Sequence, residues 1–161
     1  MTEILKLIIP VIAVLLGSYM TYSFTVRSRR DELLFSKKVE AYVLLASMLQ
    51  EIKNNCEGEI CEIRGIEGSP YKNTKGLLKL SSELTNIKVN IIFFLSYNVK
   101  HSIDNFLQKL YDGNNIAIMH QLDSIPEVND DVYIETLNSI VKRCKLIQDD
   151  MYNELAHKED E

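Results

Sequence analysis

The chain has 161 residues, of which 46% are hydrophobic and 25% are charged, and its formal net charge is −5. These values are ordinary for a globular protein, so the chain can fold around a single core without disulfides or a metal ion. The negative net charge argues against nucleic acid as a partner, because phosphate contacts require a basic surface. With only three prolines and six glycines, the chain is poor in helix breakers and can form long helices.

The first predicted element is an uncharged, largely apolar stretch from Leu7 to Val26. A helix of this length rises about 30 Å, the thickness of the bilayer's hydrocarbon core, so we expect residues 1–26 to form a transmembrane anchor. A cleaved signal peptide is the alternative. It is disfavoured by the long apolar run, the nearly neutral N-terminus and the poor cleavage site around Phe24.

The charges that flank this stretch predict its orientation. Only Lys6 precedes it, opposed by Glu3, whereas a basic cluster follows it. The positive-inside rule then predicts a single-pass protein of the cell inner (cytoplasmic) membrane, with its N-terminus outside and the rest of the chain in the cytoplasm. The lipid bilayer is the first expected partner. The basic cluster consists of Arg27, Arg29, Arg30, Lys37 and Lys38. Its simplest role is to fix this topology at the membrane surface, and the alternative is specific docking of a lipid or a partner.

Small residues recur every four positions within the apolar stretch, at Ala13, Gly17 and Thr21. This spacing places them on one face of a helix, where small side chains let two helices approach closely. The pattern predicts self-association through this face. The alternative is that small residues are simply frequent in apolar helices.

Residues 27–157 are predicted to form a cytoplasmic helical domain, followed by an acidic tail at 158–161. Hydrophobic residues in this domain recur at alternating steps of three and four, which indicates one apolar stripe on each of four helices. Four such stripes predict an antiparallel four-helix bundle-like domain. The stripes are Phe35, Val39, Tyr42, Ala46 and Leu49; Leu77, Leu80, Leu84, Ile87, Ile91 and Phe94; Val99, Ile103, Phe106 and Leu110; and Leu137, Ile140, Cys144, Ile147 and Met151.

Helix breakers and caps predict the boundaries of these helices. Helix 1 should end near Asn54, before a long loop at 55–74, and Ser96 should cap the start of helix 3. We expect helix 3 to end before Gly113, with one short helical piece after it. Helix 2 is expected at about 75–94 and helix 4 from Asp130 or Asp131 to Ala156.

The layout of the chain resembles that of small bacterial and phage-borne, single-pass, membrane-tethered helical-bundle proteins. The resemblance covers the apolar stretch with the arginines after it, the motif Lys38-Val39-Glu40-Ala41-Tyr42, and the segment from Ile92 to Val99. It implies an anchored helical bundle of bacterial type. Most members of this class have no known function, so the resemblance implies no functional residues.

Residue patterns that carry chemistry are scarce. Cys56 and Cys61, separated by four residues in the predicted loop, lack the second pair that a zinc site needs, so they are either simple thiols or a redox-sensitive pair. Glu154-x-x-His157 matches half of a di-iron motif, but no second Glu-x-x-His exists. We therefore predict no enzyme activity, no metal and no cofactor. The acidic groups Asp130-Asp131, Asp149-Asp150 and Glu57/Glu59/Glu62 are expected to be helix caps or solvated surface.

Three functions are compatible with these patterns. The first is a membrane-anchored protein-interaction or regulatory module, which binds an unidentified protein or itself, with loop 55–74 and its Tyr71 as a recognition surface. The second is a phage-defence or toxin-like membrane effector or accessory protein that acts by oligomerisation. The third is a ligand-sensing helical bundle with a cavity lined by Tyr42, Phe94 and Phe106.

Overall fold

The computed structural model of the chain describes residues 2–66, 75–122 and 129–156, with side chains from Val14 onward. Within these residues the protein is all-helical, without strands, which confirms the predicted all-α class. The four helices are α1 (Thr2–Ile63), α2 (Leu77–Ile91), α3 (Tyr97–Gln121) and α4 (Asp130–Ala156). The expected acidic tail and Tyr71 lie outside the described residues.

The chain divides into two compact units, with the boundary between Lys38 and Val39. The first unit contains the N-terminal part of α1. The second contains the rest of α1 together with α2, α3 and α4. The hydrophobic core lies in this second unit.

Helix α1 continues nine residues past the predicted end at Asn54 and stops at Ile63. Gly65 has a φ of 64°, a left-handed conformation that glycine adopts without steric cost. The amide of Ile66 donates to the Cys61 carbonyl at 2.9 Å, and that of Gly65 donates to the Glu62 carbonyl at 3.1 Å. These two bonds form a Schellman motif, which satisfies the last carbonyls of the helix. The predicted loop at 55–74 is therefore wrong for residues 55–63.

Helix α3 begins as predicted and ends later than predicted. Ser96 caps its start, since the Ser96 hydroxyl accepts a hydrogen bond from the Val99 amide at 3.2 Å. The helix then runs through Gly113 to Gln121. A Cβ at position 113 would lie 2.9 Å from Ile140 Cδ1 on α4, so glycine serves here as a close helix contact. Packing against α4 thus outweighs the helix-breaking tendency of Gly113.

The predicted apolar stripes supply most of the core, although Phe35 and Val39 of the first stripe are only partly buried. Every member of the α3 and α4 stripes is buried, as are the α2 residues Leu77, Leu80, Leu84 and Ile91. Ile87 and Phe94 are partly buried against the same core. Helix α1 contributes residues to the core that were not predicted, because Leu45, Ile52 and Cys56 are fully buried in addition to Tyr42 and Leu49.

Side-chain contacts show that α1 and α4 run antiparallel. The Tyr42 hydroxyl donates to the Glu154 carboxylate at 2.7 Å, and Gln148 Nε2 donates to the Ala46 carbonyl at 3.2 Å. Near the other end of the pair, the Tyr133 hydroxyl donates to the Glu59 carboxylate. As the position on α1 increases, its partner's position on α4 decreases, as antiparallel packing requires.

The predicted membrane location is not supported. Among the described residues, no helix is both long enough and apolar enough to cross a membrane. The transmembrane anchor is therefore unsupported, and the prediction of a single-pass inner-membrane protein is wrong.

Candidate functional site

The first unit carries a continuous exposed apolar surface, here called the apolar segment (residues 14–26 of α1). Three successive residues of a helix point in three directions about 100° apart, so exposure of successive apolar residues makes the segment apolar on every face. Its large hydrophobic side chains are exposed: Val26 is 45% exposed, and between 57% and 69% is exposed of each of Val14, Leu15, Leu16, Tyr19, Met20, Tyr22 and Phe24. Helices that are apolar all round are normally buried.

The predicted small-residue face is open in this segment. A Cβ built on Gly17 would meet no atom within 4 Å. The Thr21 hydroxyl donates to the Gly17 carbonyl at 2.9 Å, and the Thr25 hydroxyl donates to the Thr21 carbonyl at 2.8 Å. Because these hydroxyls bond within the helix, they can be covered without loss of their hydrogen bonds. Ala13, the third member of the face, lies outside the residues whose side chains are described.

The basic cluster lies mostly at the surface. Arg27, Arg29 and Arg30 are exposed, as is Lys37, whereas Lys38 is half-buried. The exposed carboxylates of residues 31 and 32 follow directly on the helix, so an acidic pair succeeds the basic residues at the end of the apolar segment.

The predicted thiol pair is not brought together. Cys56 is buried and Cys61 is half-buried, and both are unpaired. Five positions apart on one helix, they point about 140° away from each other. Burial raises the pKa of the Cys56 thiol and disfavours the reactive thiolate. Burial also raises the pKa of Cys144 to about 12, in keeping with its predicted place in the core.

A polar network, here called the Glu59 site, joins the end of α1 to α3 and α4. The Tyr133 hydroxyl donates to the half-buried Glu59 carboxylate, and the Tyr133 ring packs against His120 with centroids 4.9 Å apart. His120 Nε2 in turn lies 2.8 Å from an Asp130 carboxylate oxygen. Beside the network lies a cavity of about 350 Å³, lined by Glu59, Lys75, Leu77, Asn114, Ala117 and Tyr133, among others.

Burial governs the protonation of this network. Loss of solvent raises the pKa of Glu59, although the hydrogen bond from Tyr133 opposes the increase. The pKa of Tyr133 is raised by burial and by its bond to Glu59, so its hydroxyl remains a donor. Sequence reasoning predicted that Glu59 would be solvated surface. The structure instead places it against a cavity.

Lys75 is held at the rim of the cavity by three side chains. Its ammonium group lies 2.6 Å from a Glu51 oxygen and 2.7 Å from a Glu83 oxygen. Its backbone is held by Asn55, which is 5% exposed: the amide nitrogen of Asn55 donates to the Lys75 carbonyl at 2.8 Å, and the Lys75 amide donates to Asn55 Oδ1 at 3.2 Å. Asn55 therefore fixes the segment that enters α2 to helix α1.

A second cavity, of about 560 Å³, lies at the start of α3 and the end of α4, and its lining includes Tyr97, His101, Asp150 and Glu154. The Tyr97 and His101 rings stack nearly in parallel, with centroids 6.3 Å apart. The ligand cavity expected from the sequence has a different lining. Tyr42 and Phe106 are almost completely buried in the core, and Phe94 packs against it.

No group of three or more His, Cys, Asp and Glu side chains within the described residues could hold a metal ion. His157 of the half di-iron motif lies outside those residues. Comparisons with protein-family models, with curated proteins and with solved structures find no match to this chain. The resemblance to membrane-tethered bundles therefore stays a prediction.

Proposed function

We propose that this chain is a protein-interaction module that self-associates through the apolar segment of α1, with the small-residue face of Gly17 and Thr21 at the contact between copies. The observation that carries the proposal is the exposure of eight large apolar side chains within residues 14–26. In this arrangement the unit that contains the core is the folded part of each copy, and the apolar segments hold the copies together.

The exposed area supports a protein partner. Tyr19, Tyr22 and Phe24 are each about two-thirds exposed. At roughly 200 Å² for each ring, they leave about 400 Å² per chain open. The area of the three rings alone matches that of the largest apolar patch on a typical monomer, roughly 300–600 Å², and the aliphatic side chains add to it. Standard interfaces bury about 800 Å² per partner, which this surface can supply.

Identical copies are favoured as the partner for two reasons. Gly17 and Thr21 let a second helix approach without a steric clash, and their polar groups are already bonded within the helix. At the end of the segment, Arg29 and Arg30 stand next to Asp31 and Glu32. In a parallel pair, Arg29 of one copy can reach Glu32 about one turn further along the other copy, which sets the register.

The test uses cysteine crosslinking of the full chain in a Cys61→Ser background, since Cys56 and Cys144 are buried. Gly17→Cys should give a disulfide-linked dimer on mild oxidation, because a parallel pair places identical positions opposite each other. Ser23→Cys, six positions away on another face, is the matched control and should crosslink weakly. Sedimentation equilibrium of the unmodified chain should show an oligomer.

Three results would overturn the proposal: a monomer at micromolar concentration, equal crosslinking from positions 17 and 23, or a monomer that binds only to lipid vesicles. The last would show that lipid, and not protein, covers the apolar segment.

A further inference from the structure

We propose that the cavity of the Glu59 site binds a small organic cation, a primary amine or guanidinium compound, with the Glu59 carboxylate as its counter-ion. This binding site is separate from the self-association surface. It lies within the second unit and does not depend on the function proposed for the apolar segment.

The carboxylate of Glu59 is half-buried and already oriented. Tyr133, itself almost completely buried, donates a hydrogen bond to it and holds it at the cavity wall. Within the described residues, no lysine or arginine nitrogen lies within salt-bridge distance of Glu59. His120, whose ring packs against Tyr133, bonds Asp130. A carboxylate that is withdrawn from water and bonded only to a neutral donor is stabilised more by a bound cation than a solvated carboxylate is.

The charges around the cavity also favour a cation. Lys75 is the basic residue of the lining, and its ammonium group is shared between two carboxylates, Glu51 and Glu83. Lys75 with its two partners carries a net negative charge, and Glu59 adds another. The field in the cavity is therefore negative, which attracts cations and repels anions.

The remaining residues of the lining suit the hydrocarbon part and the second nitrogen of an amine ligand. Leu77 and Ala117 provide buried apolar surface for a short hydrocarbon chain. The amide groups of Asn114 and Gln121 offer oxygen acceptors for a second N–H group. A volume of about 350 Å³ is at the small end of ligand cavities, which favours a compact molecule over a nucleotide.

The test is calorimetric titration of the full chain with putrescine, a four-carbon diamine, and with 1,4-butanediol, its neutral counterpart. We expect saturable one-site binding of putrescine and none of the diol. Glu59→Gln should weaken putrescine binding about tenfold or more, because a charge-assisted contact is lost. Glu62→Gln removes the same charge from an exposed position three residues away, and it should leave binding within about twofold.

Circular dichroism will establish that both variants remain folded. The absence of saturable binding up to about 10 mM putrescine would overturn the proposal. Equal weakening by both substitutions would also overturn it, because the effect would then reflect net charge alone. Equal binding of the diol would exclude Glu59 as a counter-ion.

Discussion

Replacement of Asn55 by alanine should destabilise the protein more than the loss of one small polar side chain normally does. The substitution removes two hydrogen bonds, of 2.8 and 3.2 Å, between the Asn55 side chain and the backbone of Lys75. Each is worth about 1 kcal/mol net, and the Lys75 peptide groups left without partners add to the cost. Alanine's better helix propensity returns about 0.6 kcal/mol. We therefore expect a loss of about 2 kcal/mol.

Urea unfolding followed by circular dichroism measures this loss. With a slope of about 2 kcal/mol per molar urea, the midpoint should fall by about 1 M. Asn54→Ala is the matched control, since it gains the same helix propensity and loses only a bond from Gln50 on the same helix. That bond is worth about 0.2–0.5 kcal/mol, so the control should be nearly neutral. If the two variants differ by less than about 0.5 kcal/mol, Asn55 does not hold the entry to α2.

Substitutions at three further positions test other parts of the structure. Ser81→Ala should stabilise the protein by about 1 kcal/mol in urea unfolding, because the buried Ser81 hydroxyl has no hydrogen-bond partner among the residues that the structure describes and alanine removes that penalty. A destabilised variant would mean that the hydroxyl is bonded. Gly113→Val should lower the unfolding free energy by about 2 kcal/mol, because the larger side chain crowds Ile140 and Leu77. Gly113→Ala should lower it less, because alanine improves the helix propensity. Equal effects of the two substitutions would contradict the close contact. Glu59→Gln should change the pH dependence of stability. The pKa of Glu59 is higher in the folded protein than its unfolded value near 4.5. The stabilising contribution of Glu59 is therefore fully present below that unfolded pKa and is lost as pH rises through the folded pKa. The variant should therefore gain stability over the native protein at pH 7 and lose that advantage near pH 4, and a constant difference between the two would refute the shift.

Periodicity predicted the four helices and most of the core, because the spacing of Val99, Ile103, Phe106 and Leu110 depends only on the geometry of a helix. The ends of α1 and α3 were predicted too early, and a tertiary contact explains each. Asn55 bonds Lys75, and Gly113 allows close packing with Ile140. Local propensity treats asparagine and glycine as helix breakers and contains no information on such contacts.

The Glu59 site could not be predicted for a related reason. Glu59 and Tyr133 are 74 positions apart in the sequence and meet only because α1 and α4 pack in one register. In the sequence, Glu59 has acidic neighbours on both sides and matches a solvated surface. One available signal was Gly65, a glycine suited to a helix end, which would have extended α1 past Glu59 and Cys56.

The two tyrosine–glutamate bonds between α1 and α4 have a consequence for how the bundle opens. One tyrosine lies on α1 and reaches α4, and the other lies on α4 and reaches back to α1 near the opposite end of the contact. A slip of one helical turn shifts every pairing by about 5.4 Å, which breaks both bonds at once. Fraying from either end must likewise break one of them first. Backbone amides along this helix pair should therefore exchange with solvent mainly through cooperative opening of the whole unit.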